Sequence, residues 1–248
     1  MEILEEQIIG ELVAENYKTA SVFKKFKIDF CCNGNRTISE ACERKNLDPS
    51  QLINELRNTI INVEQNIDFN SWELDLLADY IEKTHHRYVM TKIEEIKPYL
   101  NKVTRVHGEH NPELKEIEIL FNQSAQELSQ HLQKEEMILF PFIRNMVNSK
   151  MEEKPLFFPH FGTVENPIAM MKHEHQNEGE RFEKIAELSN QYTPPSHACN
   201  TYRVTFALLK EFEDNLHQHI HLENNIWFPK AIKMEKEFVR YSWKEYKE

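Results

Sequence analysis

Two segments of this sequence carry a histidine and a glutamate four residues apart in the same setting. HLQKEEMILFPFI begins at His131, HIHLENNIWFPKAI begins at His219, and the two align at a constant offset of 88 residues. His131 pairs with His219, Glu135 with Glu223, Ile138 with Ile226, Phe140 with Phe228 and Pro141 with Pro229. Helix-forming composition alone does not generate that many identities at one offset, so the segments read as an internal repeat. Four residues of α-helix turn about 40° past a full rotation, which puts each His–Glu pair on one face.

That face is apolar in both copies. Around His219 the stripe runs Leu209, Phe212, Leu216, His219, Glu223, Ile226, and around His131 it runs Ile117, Phe121, Leu128, His131, Glu135, Ile138. An ionised carboxylate facing a helical core is costly unless a cation compensates it. Two such glutamates arriving with two histidines are most economically compensated by metal. Glu136 competes with Glu135, but the second copy has Asn224 at the matching place, which leaves Glu135 as the symmetric choice. His217 and His221 lie beside rows containing Asp214 and Gln218 and read as solvated.

Two further helices should each add a histidine. His175 continues the stripe Ile168, Met171, Phe182, Ile185, whereas His173 shares its row with Gln176, Asn177 and Glu180. Upstream, Leu77 and Ile81 favour His85, while Val89, Ile93, Ile96 and Leu100 favour His86, and the strict repeat offset pairs His85 with His173. Periodicity leaves that choice open. Four imidazoles and two carboxylates exceed one tetrahedral zinc, and no cysteine lies in the repeat. Two carboxylates can instead bridge two ions, each with two histidines and vacant positions, a donor mixture that suits iron first and manganese second. Four-helix bundles are an established frame for such dinuclear carboxylate sites.

The elements that must position these residues are long periodic segments at about 72–105, 112–148, 166–190 and 198–236. Gly108 and Pro112, KPLFFPHFG (154–162) and TPPS (193–196) separate them, and Asn166-Pro167 reads as a cap and first turn. The expected fold is all-α, an up-down-up-down four-helix bundle over 71–240, preceded by a small helical domain over 1–65. Within that domain helix-compatible segments cover 2–26, 38–45 and 49–61, broken at Asn33-Gly34-Asn35. Thr37 with Glu40 forms a capping-box pattern, and Asp48 before Pro49 starts the next helix. A polar stretch, 62–71, links the two domains, and Ser71 or Asn70 can cap the first helix of the bundle.

With 5 Gly and 10 Pro in 248 residues, the composition favours helices. A formal net charge of −11, with its cations interspersed among acids, excludes a nucleic-acid surface. No basic leader precedes an apolar run, and no stretch approaches the roughly 18 apolar residues of a membrane span, so a cytoplasmic protein is expected. Cys31 and Cys32 are neighbours and cannot form an unstrained disulfide, and with Cys42 and Cys199 they are expected as reduced thiols.

At THHRY (84–88), HLQKEEMILFP (131–141), KHEHQNEG (172–179) and HIHLENNIWFP (219–229), with IDFCCNGNRTISEAC (28–42), the chain resembles the repair-of-iron-centres family of hemerythrin-like di-iron proteins. The resemblance implies an iron ligand set of His86, His131, Glu135, His175, His219 and Glu223, with an oxo or hydroxo bridge, and makes His107 an accessory candidate. It implies a cytoplasmic, often dimeric protein that supplies or mobilises iron for iron–sulfur proteins damaged by nitrosative or oxidative stress, more a repair protein than a conventional enzyme. Nitric oxide reduction and dioxygen binding or sensing are the alternative chemistries. Cys31 and Cys32 match the family's paired cysteines, with a redox or iron-transfer role implied, while Cys42 and Cys199 read as structural.

Overall fold

The computed structural model describes residues 3–61, 67–156 and 159–245. Among them no strand occurs, and Ile8 with Thr37 makes one isolated antiparallel bridge. Helices α1 (Ile9–Glu15), α2 (Thr19–Lys25), α3 (Ile38–Lys45) and α4 (Pro49–Ile61) come first. The helical bundle comes next. Its first helix is α5 (Leu74–Tyr80), a π turn (Ile81–His86) and α6 (Arg87–His107); its second is α7 (Glu113–Lys134), a π turn (Glu135–Leu139) and α8 (Phe140–Met151). The third is α9 (Glu165–Leu188), and the fourth is α10 (Asn200–Leu222), a π turn (Glu223–Trp227) and α11 (Phe228–Glu245). No helix among the described residues is long and apolar enough to cross a membrane.

The chain divides into two compact units, Ala78–His219 and Met1–Leu77 with Ile220–Glu248, and the division passes through the middle of the fourth helix. In the first of these, α7 packs on both α6 and α9. Phe121, Phe182 and Phe212, all buried, bring α7, α9 and α10 together with ring centroids 5.5 Å apart in each Phe212 pair. Each such ring contributes roughly 1.5–3 kcal/mol by leaving water. Arg144 of α8 donates to Asp79 and Glu82 at 2.8 Å each, which ties the second helix to the first beside its π turn.

In the other unit, the single helix expected over 2–26 is two short ones. The Asn16 side chain accepts from Lys18 N (3.1 Å) and its carbonyl accepts from the Thr19 hydroxyl (2.7 Å), local bonds that compete with a continuous helix. The capping box of Thr37 and Glu40 is formed, and Asp48 Oδ1 accepts from Ser50 N at 2.9 Å. Asn70 and Ser71 do not cap α5; they lie in a 3-10 turn (Phe69–Ser71) that Asp68 caps. Helix α9 starts before Asn166, whose Nδ2 instead donates to the Phe161 carbonyl at 2.8 Å across the turn at Gly162. Part of the polar linker (62–66) and two residues of the KPLFFPHFG break (157–158) lie outside the described residues.

The end of the fourth helix completes this unit. Trp227, buried, donates from Nε1 to the Leu74 carbonyl at 2.9 Å, and Lys230 Nζ donates to the carbonyls of Asn70 and Trp72 at 2.6 Å each. Gly10 N donates to the Gly34 carbonyl at 2.7 Å where both glycines meet Asn225. A Cβ on Gly10 would lie 2.6 Å from Asn225 Oδ1, and one on Gly34 would lie 2.3 Å from the Phe30 carbonyl oxygen, so neither position accommodates a side chain without movement.

Candidate metal centre

Each of the three π turns among the described residues carries a candidate ligand. Glu135 opens one, Glu223 opens another, and His85 and His86 close the third. A π turn inserts one extra residue into the α repeat, a device common where helices carry functional groups. Both His85 and His86 are consequently buried, which is why upstream and downstream periodicities point to different histidines. The same insertion corrects the stripe around His131: beyond Glu135 the buried residue is Leu139, while Ile138 is 41% exposed.

The inward donors converge. His86 Nε2 and His131 Nε2 each lie 3.5 Å from the same oxygen of Glu135, Oε2, and His175 Nε2 lies 3.1 Å from His131 Nε2. His219 packs its ring 5.0 Å from that of His86, and Glu223 comes one turn later on the same continuous helix. Two sets emerge, His86, Glu135, His219, Glu223 and His131, Glu135, His175, Glu223, all buried, with donor atoms inside each set within 4.8 Å of one another. Donors about 2 Å from one ion are separated by at most about 4 Å, so each set needs only a small contraction to close on a cation. Both sets share the two carboxylates. Fully buried glutamates among imidazoles, with no lysine or arginine in either set, have the chemistry of metal ligands, and nitrogen with carboxylate oxygen suits iron.

A second layer of carboxylates orients the imidazoles. His86 Nδ1 lies 2.8 Å from Glu136 Oε1, and His131 Nδ1 lies 2.8 Å from Glu174 Oε2. Each Nδ1–H is thereby directed to a carboxylate, leaving the Nε2 lone pair for the centre. The bond from His131, aided by Lys134, holds Glu174 down at about 2, so it is a carboxylate throughout the neutral range. His85 turns away, its Nδ1 3.2 Å from Asn215 Oδ1 and its ring stacked on His219 at 5.4 Å.

Other residues singled out in the sequence fall elsewhere. His173 is exposed. His107 Nε2 lies 3.3 Å from the exposed Cys199 Sγ, outside both donor sets. Cys42 is buried. Cys31 is buried and Cys32 half-buried, their sulfurs 3.8 Å apart; the hydrogen bond with Cys32 and then burial raise the Cys31 pKa well above that of an ordinary thiol. His221 is not solvated, as its row had suggested: it is buried beside Tyr17 and Phe30 and held neutral by burial, its pKa down at about 3. Its companions come from a part of the chain about 200 residues away, which helical periodicity does not report. Glu136 and Glu174 escaped notice as orienting groups because each adjoins a stronger candidate in sequence and meets its histidine only across helices. Glu178, also missed, is a buried carboxylate on α9 that accepts from Ser124 and Arg181.

A helical bundle with buried histidine and glutamate donors on its helices defines a hemerythrin-like cation-binding protein. Residues 77–231 match the hemerythrin HHE cation binding domain, and residues 5–59 match the ScdA_N domain of unknown function. The chain is 31% identical to "Iron-sulfur cluster repair protein ScdA" of Staphylococcus haemolyticus over 92% of its own length and 99% of the relative's. It is 33% identical to "Iron-sulfur cluster repair protein YtfE" of Citrobacter koseri, over 92% and 97% of the two lengths, and 31% identical to the YtfE protein of Musicola paradisiaca, over 93% and 98%. The chain belongs to this family of hemerythrin-domain iron–sulfur cluster repair proteins.

Proposed function

We propose that this chain holds two iron ions and uses them to restore iron–sulfur clusters damaged by nitrosative or oxidative stress, by supplying or mobilising iron. The observation that carries the reading is the pair of buried two-histidine, two-glutamate sets sharing Glu135 and Glu223. In this reading His86 and His219 would hold one ion and His131 and His175 the other, with Glu135 and Glu223 available to both. Iron bound there supplies the exchangeable metal that a damaged cluster lacks. Glu136 and Glu174 hold the Nδ1 protons of His86 and His131 and so keep the Nε2 atoms available. The relatives' names, which specify cluster repair, support the same assignment.

The bundle is assigned to 71–240 and the small domain to 1–65, where Cys31 and Cys32 take a redox or iron-transfer role. Cys32, the less buried thiol, is the one that an incoming client reaches. The protein is assigned to the cytoplasm as a homodimer, which sedimentation of the iron-loaded chain tests.

The decisive experiment has three measurements. Protein purified anaerobically without added metal should contain two irons per chain and little manganese or zinc. Added with reductant to a nitric-oxide-inactivated cluster enzyme, it should restore activity beyond free iron and reductant alone; equal recovery in both arms rejects the repair role. Stoichiometric nitrous oxide from the reduced protein under nitric oxide would reassign it as a reductase.

A further inference from the structure

The residues just after Glu223 are not spent on the bundle alone. Asn224, buried in the π turn, donates from Nδ2 to the Cys31 carbonyl at 3.1 Å, and Asn225 Nδ2 donates to the Phe30 carbonyl at 3.2 Å. Asn225 Nδ2 also lies 2.9 Å from His221 Nδ1, and a Cβ on Gly10 would lie 2.6 Å from Asn225 Oδ1, so a side chain there would displace it. The π turn is therefore seated on the backbone of the Phe30-Cys31-Cys32 segment.

That segment is itself stiff. Asp29 Oδ1 accepts from Cys31 N and Cys32 N at 3.0 and 2.9 Å, Asn33 Nδ2 donates to Asp29 Oδ2 at 2.6 Å, and Arg36 donates to Asn33 Oδ1 at 2.6 Å. The Cys31 carbonyl thus sits between a turn held by Asp29, Asn33 and Arg36 and the amide of Asn224, the residue after Glu223. Close-packed, hydrogen-bonded contacts of this kind have discrete alternatives and not a continuous give.

We propose that Asn224 and Asn225 are positioning residues that couple the Cys31-Cys32 segment to the metal ligand Glu223, so that metal at the bundle and the chemical state of Cys32 influence each other. The coupling rests on Glu223 being a ligand. It is reciprocal in free energy: a state of the thiol segment that metal favours in turn favours metal.

The test uses the full chain carrying Cys199→Ser, which removes the exposed thiol. Alkylation of Cys32 by iodoacetamide is timed in metal-free and iron(II)-loaded protein under argon, and iron retention against a chelator is measured before and after alkylation. The expected result is a change of about fivefold or more in both readouts, the low end for coupled sites, shrinking to within about twofold in Asn224→Ala and in Asn225→Ala. Equal alkylation rates with and without iron overturn the coupling, as does an undiminished difference in both asparagine variants. Glu223→Gln separates the two levels: if it keeps full iron, the ligand reading fails and the coupling with it. If it loses iron while Cys32 in the parent ignores metal, the coupling alone fails.

Discussion

Nδ1 of His86 lies 2.8 Å from Oε1 of Glu136, the residue directly after the shared carboxylate Glu135. One helix thus presents two consecutive carboxylates to one imidazole, one to each of its nitrogens. The π turn that begins at Glu135 accompanies this arrangement, which places consecutive residues on opposite sides of the His86 ring.

Removing the outer carboxylate should weaken metal binding without abolishing it. Glu136→Ala and Glu174→Ala are each expected to lower iron affinity about 10- to 100-fold in chelator competition, with full occupancy recovered at high iron. Unchanged affinity in both variants would show that these bonds do not orient the ligands.

Taking the metal away should cost the fold. At free iron about 100-fold above its dissociation constant, binding contributes about 2.7 kcal/mol, so chelation is expected to lower Tm by several degrees. Glu135→Leu should bind no iron, yet its Tm should equal or exceed that of the metal-free parent, because the desolvation cost of a fully buried carboxylate is gone. His217→Ala should retain both the iron and the shift. Calorimetry with and without chelator checks all three.

Adjacent histidines should separate cleanly. His86→Ala is expected to lose iron, measured by metal analysis. His85→Ala should keep iron but lower stability by roughly 1–2 kcal/mol in urea, since it forfeits a part-buried bond to Asn215 and a ring stacked on His219. The reverse pattern would exchange their assignments.

Glu178 predicts a pH effect. Burial raises its pKa above the ordinary glutamate range, so its contribution to stability is full below that range and lost as pH rises through the raised folded value. Glu178→Gln removes this titration and should gain stability over the parent as pH climbs from about 4 to about 7. Urea midpoints that stay parallel across that span would contradict it.

The helices and the repeat were legible because apolar stripes and an i, i+4 His–Glu pair are properties of one segment at a time. His131, Glu135, His219 and Glu223 could be grouped that way, and the structure buries all of them. Where the extra residue of a π turn enters was not legible. It moved Leu139 inward in place of Ile138 and left His85 against His86 undecided, since each lies on the stripe of a different flank. Contacts between distant parts of the chain were equally silent, as with Glu174 on His131, or the Tyr17 and Phe30 rings that enclose His221.

Trp227 bonded to Leu74, and Asn225 set against Gly10 and Gly34, have a consequence for biosynthesis. Helices α1 to α4 leave the ribosome well before the surface they close against, which begins at Ile220. The early domain must wait, partly open, while the intervening residues emerge, and a nascent chain stalled before residue 220 should be cut by protease within its first sixty residues more readily than the finished protein.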